Sequence, residues 1–231
     1  MSELVRWDEE LARAAQEQKA EEKLPVSNIS LKSGVMSFRG VAVPGNALNV
    51  VVLASLAERR FYAEKWKPDV KVVANCFSQD EVAPHPSSPE PQNATCEGCP
   101  RDAWGSDIQG GKGKACKQTR KLLLTPAGEA DYGKSDLAVV RLPVTSVRNF
   151  SIYVNEIATL MKRPTWAVMT EISVVPDAKT QFKVLFKCVG VVPDEQLGVL
   201  KQRMEDNKAL LLKDFDEPVE PTTAPNPGAK Y

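Results

Sequence analysis

The stretch "ALNVVVLASLAERRFYAEKW", residues 47–66, changes character half-way along. Its opening is apolar and rich in β-branched residues, which is typical of a strand. Its end interleaves cations with aromatic rings. The cations are Arg59, Arg60 and Lys65, and the rings are Phe61, Tyr62 and Trp66. The stretch follows a turn signal, "VPGN", and therefore predicts a strand whose far end is both basic and aromatic.

Further strands and two helices are predicted around this stretch. The strand candidates are 27–40, 70–77, 117–126, 135–144, 165–175 and 181–192. Between 145 and 162 the apolar residues recur at steps of three and four, and Pro164 lies just beyond, so this segment predicts a helix. A closing helix is predicted over 194–212, with Asp194 as its cap.

This order of elements predicts an α+β fold that is mainly β. One helix between the third and fourth strands of a five-stranded barrel is the layout of an OB-fold, with 117–142 as an elaboration of its middle. The predicted organisation is a helical extension at 1–24, an OB-like core at 25–192 that carries a zinc loop at 76–116, a helix at 193–212, and a disordered acidic and proline-rich tail at 213–231.

Composition restricts the possible partners. Lys plus Arg and Asp plus Glu are both 30, so the net charge is zero and any electrostatic signal must be local. The amino-terminal segment is acidic and has no apolar core, and the longest apolar run is too short to span a bilayer. We therefore expect a cytoplasmic protein without a membrane partner, in which thiols stay reduced.

Four of the five cysteines fall within 76–116, around a loop rich in proline and glycine. Cys96 and Cys99 form a C-x-x-C pair, Cys76 ends a predicted strand, and Cys116 precedes another. Four thiolates at such spacings are typical of a closed, structural Zn²⁺ site, which would replace the core that this loop cannot build. The sequence therefore predicts Cys76, Cys96, Cys99 and Cys116 as zinc ligands.

Other interpretations of these residues are weaker. His85 could replace Cys76 as a ligand, although it reads better as an exposed loop residue, and Cys188 lies in an apolar strand where it would pack. A thioredoxin-like role for "CEGC" would need a helix start, but Pro100 and glycines follow. "GGKGK" lacks the phosphate-loop spacing. No catalytic constellation emerges, so we expect no enzymatic activity.

Basic residues and aromatic rings cluster near the cysteines. Between residues 101 and 121 the sequence contains six basic residues and only two acidic ones. Cations contact phosphates and rings stack on bases, which together favour a binder of single-stranded nucleic acid. The predicted contacts are Arg59, Arg60, Tyr62, Lys65, Trp66, Trp104, Lys112, Lys114, Lys117 and Arg120. The acidic tail could compete with DNA or recruit replication or recombination proteins.

The segment "CEGCPRDAWGSDIQGGKGKACKQTRKLLL" resembles a segment of bacteriophage single-stranded DNA-binding proteins, over about 70–125. The shared motifs are C-x-x-C-P, W-G-S and G-K-G-K-A-C before a strand. The resemblance implies an OB-fold with a zinc loop, a replication or recombination accessory role without catalysis, the same four cysteine ligands, and a place in the host cytoplasm. Phage binders of this kind often include a histidine ligand, whereas four cysteines suffice here.

Two other functions stay open. A zinc-stabilised protein-interaction or virion-associated module that binds no nucleic acid would agree with the neutral net charge. A metal-dependent nuclease would need an open coordination position and acidic ligands, which four thiolates disfavour.

Overall fold

The computed structural model describes residues 26–64, 73–108 and 110–213, together with the single positions 7, 10, 11, 13 and 14. Most of the predicted amino-terminal helix, Lys65, Trp66 and nearly all of the tail at 213–231 lie outside these residues. Among the described residues, none of the helices combines the length and apolarity needed to cross a bilayer.

One sheet contains all nine strands of the described ranges. In chain order they are β1 Ser27–Ser30, β2 Ser37–Phe38, β3 Val41–Ala42, β4 Ala47–Phe61, β5 Cys76–Ser78, β6 Lys117–Pro126, β7 Ala138–Leu142, β8 Val168–Asp177 and β9 Gln181–Val191. They lie in the order β3-β2-β1-β7-β6-β4-β8-β9, and β5 pairs with the end of β4. Among the strands that the structure describes, only β1 and β7 pair in parallel.

The long strand β4 organises this sheet. Its start pairs with β8, most of its length pairs with β6, and its last three residues pair with β5. The pairing with β6 shifts register between Val52 and Ala54, and a bulge of this kind bends and twists a strand. The sheet curls into a half-barrel.

Two helices cover the two faces of the sheet. Helix α1, Val144–Glu156, continues as one π-helical turn at Ile157–Met161 and ends where Lys162 adopts a left-handed conformation, two residues before Pro164. Helix α2, Asp194–Asn207, continues as a 3-10 turn at Lys208–Leu212. Short 3-10 turns lie at Lys32–Gly34, Pro44–Asn46, Pro100–Asp102 and Thr165–Ala167.

Each helix completes its own hydrophobic core. Val50, Val52 and Leu122 pack with Phe150 and other residues of α1, whereas the alternate residues pack with Leu200 of α2 and with Leu211. Because both faces are covered, the middles of β4 and β6 must be apolar at every position rather than at every second one. Each buried aliphatic side chain there contributes about 1.5–3 kcal/mol.

Helix α1 also protects the free edge of β9. The Val184 amide donates a hydrogen bond to Ser146 Oγ at 2.9 Å, and Asn149 Nδ2 donates to the Val184 carbonyl at 2.9 Å. Unpaired strand edges otherwise template pairing with other chains. The helix thus both fills the half-barrel and satisfies the edge of its last strand.

The structure confirms the mixed, mainly β class and both helices. It also confirms the strands predicted at 117–126, 135–144, 165–175 and 181–192, with small shifts of their ends. The expected five-strand count is not confirmed, since the described ranges contain nine strands, and α1 separates β7 from β8. The reason is that β4 is long enough to pair with three strands. The segment 117–142, predicted from the sequence as an addition to the barrel, therefore belongs to the same sheet. Within the described part of 70–77, only the end is strand, in β5.

A buried ionic cluster lies on the α2 side of the sheet. Glu58 and Lys121 have side chains that are 1% and 2% exposed, and their charged atoms are 2.9 Å apart. Arg60 and Arg141 each approach Glu58 to 3.3 Å. Lys121 Nζ also donates hydrogen bonds to the carbonyls of Leu211 and Lys213. The cluster therefore fastens the end of the last helical turn to the sheet.

Replacing Lys121 with methionine should lower the free energy of unfolding by about 3 kcal/mol, as measured by urea denaturation. Removing one partner of a buried pair usually costs about 3–5 kcal/mol, and the two arginines that remain beside Glu58 favour the lower end. Lys134→Met is the matched control, because Lys134 is 90% exposed and lies 3.8 Å from Asp131. The control should cost less than about 1 kcal/mol. Equal losses would contradict the role of the cluster.

Candidate metal centre and nucleic-acid interface

The end of β4 brings the four clustered cysteines together. Cys76 pairs with Phe61 on one side of β4, and Lys117, the neighbour of Cys116, pairs with Arg60 on the other side. The cysteines at 76 and 116 therefore flank one strand, at a separation on the order of 10 Å, or two strand spacings. The C-x-x-C segment then folds over the same strand end.

The C-x-x-C segment forms a tight knuckle. The Cys99 amide points to the Cys96 carbonyl at 3.4 Å, and the Cys96 amide donates to the Val82 carbonyl at 2.8 Å. Gly98 has a φ of +70°, a conformation that glycine adopts without strain. The knuckle thereby turns both thiols toward the end of the strand.

All four thiols line one small cavity, together with Arg59 and Phe61. Burial raises the pKa of Cys96, and it raises the pKa of Cys116 to about 12. The Arg59 guanidinium opposes both shifts. Four sulfur donors around one cavity fit the ligand preference of Zn²⁺. Among the described residues, no group of three or more such side chains already forms a metal site.

His85 and Cys188 are not among the residues that line this cavity. The His85 ring stacks on Phe77, with centroids 4.9 Å apart, and Nδ1 accepts a hydrogen bond from the Ser87 amide. Cys188 lies on β9, with its sulfur 3.6 Å from that of Met161. These contacts give both side chains a structural role.

Asp102 links the cavity to the glycine-rich loop. Its carboxylate contacts Arg59 Nη1 at 2.8 Å and Lys114 Nζ at 3.1 Å. Burial disfavours the ionised carboxylate, but these two partners outweigh burial and lower its pKa. The pairing also raises the pKa of Arg59, against the opposing effect of burial. One acid thus neutralises two of the cations that the sequence assigns to nucleic-acid contacts.

Trp104 stands at the surface of the same loop and is 79% exposed. Lys114 Nζ lies 5.5 Å from the centroid of its ring, within cation–π range. The loop beneath is closed by hydrogen bonds: the Gly105 amide donates to the Gly113 carbonyl at 3.0 Å, and the Cys116 amide donates to the Arg101 carbonyl at 2.8 Å. A large ring is therefore held in solvent on an ordered loop.

The other residues predicted to contact nucleic acid differ in their exposure and in their ion pairs. Lys112 is exposed, Tyr62 is half-buried, and Lys117 pairs with Asp107 at 3.4 Å. Lys65 and Trp66 lie outside the described residues. Trp104, Lys112, Lys114 and Lys117 all belong to one segment, whose described residues 104–108 and 110–117 we call the tip loop.

The predicted arginines do not share one surface. Successive residues of a strand point to opposite faces, and Arg60 joins Glu58 on the α2 side. The Arg120 guanidinium instead lies 5.8 Å from the Phe150 ring of α1. Arg59 is only 19% exposed beside Asp102. The sheet therefore does not bring all the predicted cations into a single basic groove.

The acidic partners are the residues that sequence reasoning missed. Asp102 and Asp107 entered only as charges to be subtracted and Glu58 was not considered, yet each of the three determines where a cation points. The signal available in the sequence was the position of Asp102, two residues after the end of a C-x-x-C-P motif and two residues before Trp104. Nothing local indicates that its partner is Arg59, because that contact depends on strand pairing.

Comparison with known proteins does not identify a relative. No protein-family model matches the chain, and neither a curated protein nor a solved structure matches it.

In metal-free protein, alkylation of Cys116 by iodoacetamide should accelerate about tenfold per pH unit from pH 7 to 10. The thiolate is the reactive form, and burial raises this pKa to about 12, so its fraction keeps rising throughout that range. Mass spectrometry of the modified peptides would follow the rate. A plateau near pH 9, as for an ordinary thiol, would contradict the buried position of Cys116.

Proposed function

We propose that this chain is a single-stranded DNA-binding protein of the phage type, in which a structural zinc holds the tip loop. The observation that carries the proposal is the exposed ring of Trp104, held beside Lys114 on a loop that runs between two of the clustered cysteines. An exposed ring with a neighbouring cation offers a base-stacking platform and a phosphate partner.

The proposed zinc ligands are Cys76, Cys96, Cys99 and Cys116. When bound, Zn²⁺ would supply a closed tetrahedral cross-link between β5, the knuckle and the start of β6. The chain itself supplies the four thiols and the adjacent Arg59, whose positive charge favours the ionised forms of Cys96 and Cys116. Such a cross-link suits a loop that has few apolar residues to bury.

The proposed binding mode combines stacking with local electrostatics. Trp104 would stack on a base, and Lys112 with the other tip-loop lysines would contact phosphates. Since the net charge is zero, affinity would come from this local surface and fall as salt rises. Little sequence preference is expected, because every base presents a stacking face.

An OB-like core would suit this role. The curled half-barrel, with α1 packed inside it and against its last strand, agrees with such a core, to which the remaining strands are added. In this proposal the protein acts in phage DNA replication or recombination in the host cytoplasm, without catalysis. Its acidic tail would contact partner proteins of that process.

One observation favours a second candidate function. Most described cations near the cysteines are paired with carboxylates: Arg59 and Lys114 with Asp102, and Lys117 with Asp107. Such pairing reduces the charge available to a polyanion. A zinc-stabilised protein-interaction or virion-associated module, with Trp104 as its contact, is therefore the alternative.

Purified under reducing conditions, the protein should contain one zinc per chain, as measured by elemental analysis. Cys99→Ser should lose the metal and lower the melting temperature by several degrees, because a structural zinc contributes folding free energy directly. Cys188→Ser is the matched control, since this cysteine lies on β9 away from the cavity, and it should retain the metal. Equal zinc content in both variants would overturn the site.

Binding of a labelled oligo-dT should be measurable by fluorescence anisotropy. It should weaken steeply between about 50 and 200 mM salt, because each phosphate contact releases counterions. Trp104→Ala should weaken binding by about 5- to 150-fold, which corresponds to the ~1–3 kcal/mol of one base stack. Lys112→Ala should reduce the slope of log affinity against log salt by about 0.7.

Two controls accompany this measurement. Trp104→Phe keeps an aromatic face and should recover much of the affinity, and Lys134→Ala removes an exposed cation elsewhere and should change little. Absence of binding at low salt would refute the DNA proposal and leave the protein-interaction alternative. Equal affinity for duplex and single strands would refute the stacking mode.

A further inference from the structure

Asp102 lies where a carboxylate would be expected to weaken DNA binding. It sits beneath the tip loop, and its negative charge would repel phosphates that approach Lys114 and Lys112. Its carboxylate, 23% exposed, nevertheless forms the shortest ion pair of this region, 2.8 Å to Arg59. The other oxygen of the same carboxylate faces Lys114 at 3.1 Å. Its geometry therefore indicates that Asp102 holds these two cations in place, a role that can outweigh its repulsion of phosphates.

The contacts of Asp102 run from the cysteine cavity to the exposed ring. On the cavity side, its amide donates to the Cys99 carbonyl at 2.9 Å, and its partner Arg59 lines the cavity. On the solvent side, its partner Lys114 lies over Trp104 at 5.5 Å. A single side chain thus joins the proposed metal centre to the proposed stacking platform.

We propose that Asp102 is a positioning residue that holds Lys114 against Trp104 and makes this arrangement depend on the order of the cysteine cavity. The inference rests on the proposed function and adds to it a link between metal loading and affinity for single strands. A lysine has many rotamers, and fixing one of them before binding removes part of the entropy that binding would otherwise cost. Asp102 supplies that fixation.

The link to the cavity follows from the backbone. Cys99 and Cys116 are both proposed ligands, and both are hydrogen-bonded to the 3-10 turn Pro100–Asp102: the Asp102 amide to the Cys99 carbonyl, and the Cys116 amide to the Arg101 carbonyl. Drawing these two cysteines together fixes the turn between them. Loss of the metal would release that turn, and the carboxylate of Asp102 would lose its position relative to Lys114.

The test compares two substitutions that remove the same charge from the same loop. Asp107→Asn is the matched control, because Asp107 pairs with Lys117 whereas Asp102 pairs with Lys114. Electrostatics alone predicts that both variants bind oligo-dT as tightly as the wild type or more tightly. Positioning predicts that Asp102→Asn, in the zinc-loaded protein, binds about three- to tenfold more weakly. Unchanged or tighter binding by Asp102→Asn would overturn the inference.

A second readout needs no DNA. The emission of Trp104 is obtained by subtracting the spectrum of Trp104→Phe, and its quenching by iodide reports the cation beside the ring. Asp102→Asn and Lys114→Gln should change this quenching alike, and Asp107→Asn should leave it unchanged. Zinc content and melting curves are recorded for each variant. If Asp102→Asn loses zinc, Lys114→Gln, which leaves Asp102 and Arg59 intact, decides the outcome.

Chelation of the metal completes the test. Removing zinc from the wild type should shift the quenching of Trp104 to that of Asp102→Asn, and the difference between the two proteins should disappear. A difference that survives chelation would overturn the link to the cavity. Wild-type protein that shows the predicted quenching changes but binds no oligo-dT would refute the DNA function and keep the positioning role of Asp102.

Discussion

Every part of this structure depends on the pairing of β4 with three other strands. Its start joins the β8–β9 hairpin, its middle joins β6 through a bulge, and its end joins β5. The middle is buried on both faces and divides the core in two, one half under α1 and the other under α2. The end is where β5 and the start of β6 bring Cys76 and Cys116 to the two sides of the strand. One strand thus provides both the core of the fold and the frame of the candidate site.

Charge is balanced locally as well as globally. The chain has equal numbers of acidic and basic residues, and the cations around the end of β4 are mostly paired with carboxylates. Pairing at partly buried positions fixes side chains more than it attracts distant ions. The surface best suited to an external ligand is therefore small, and Trp104 with its neighbouring lysines is its most prominent part.

The proposed zinc and the proposed stacking platform support each other physically. A loop rich in proline and glycine has too few apolar groups to hold a large ring in solvent at a fixed place, whereas four ligands on both sides of the loop would remove most of its freedom. The hydrogen bonds that the Asp102 and Cys116 amides donate would extend this restraint toward Trp104. Whether the partner is a nucleic acid or a protein then depends on which group stacks on this ring.

The sequence by itself determined the features that local patterns encode. The spacing from Val147 to Met161 predicted α1, the alternation in 181–192 predicted β9, and the cysteine spacing predicted the set of thiols that line the cavity. Only the tertiary structure decided how many strands join the sheet, on which faces Arg59 and Arg60 lie, and which carboxylate each cation meets. Those facts depend on strand register between segments far apart in the chain, and a shift of one residue would move each side chain to the opposite face.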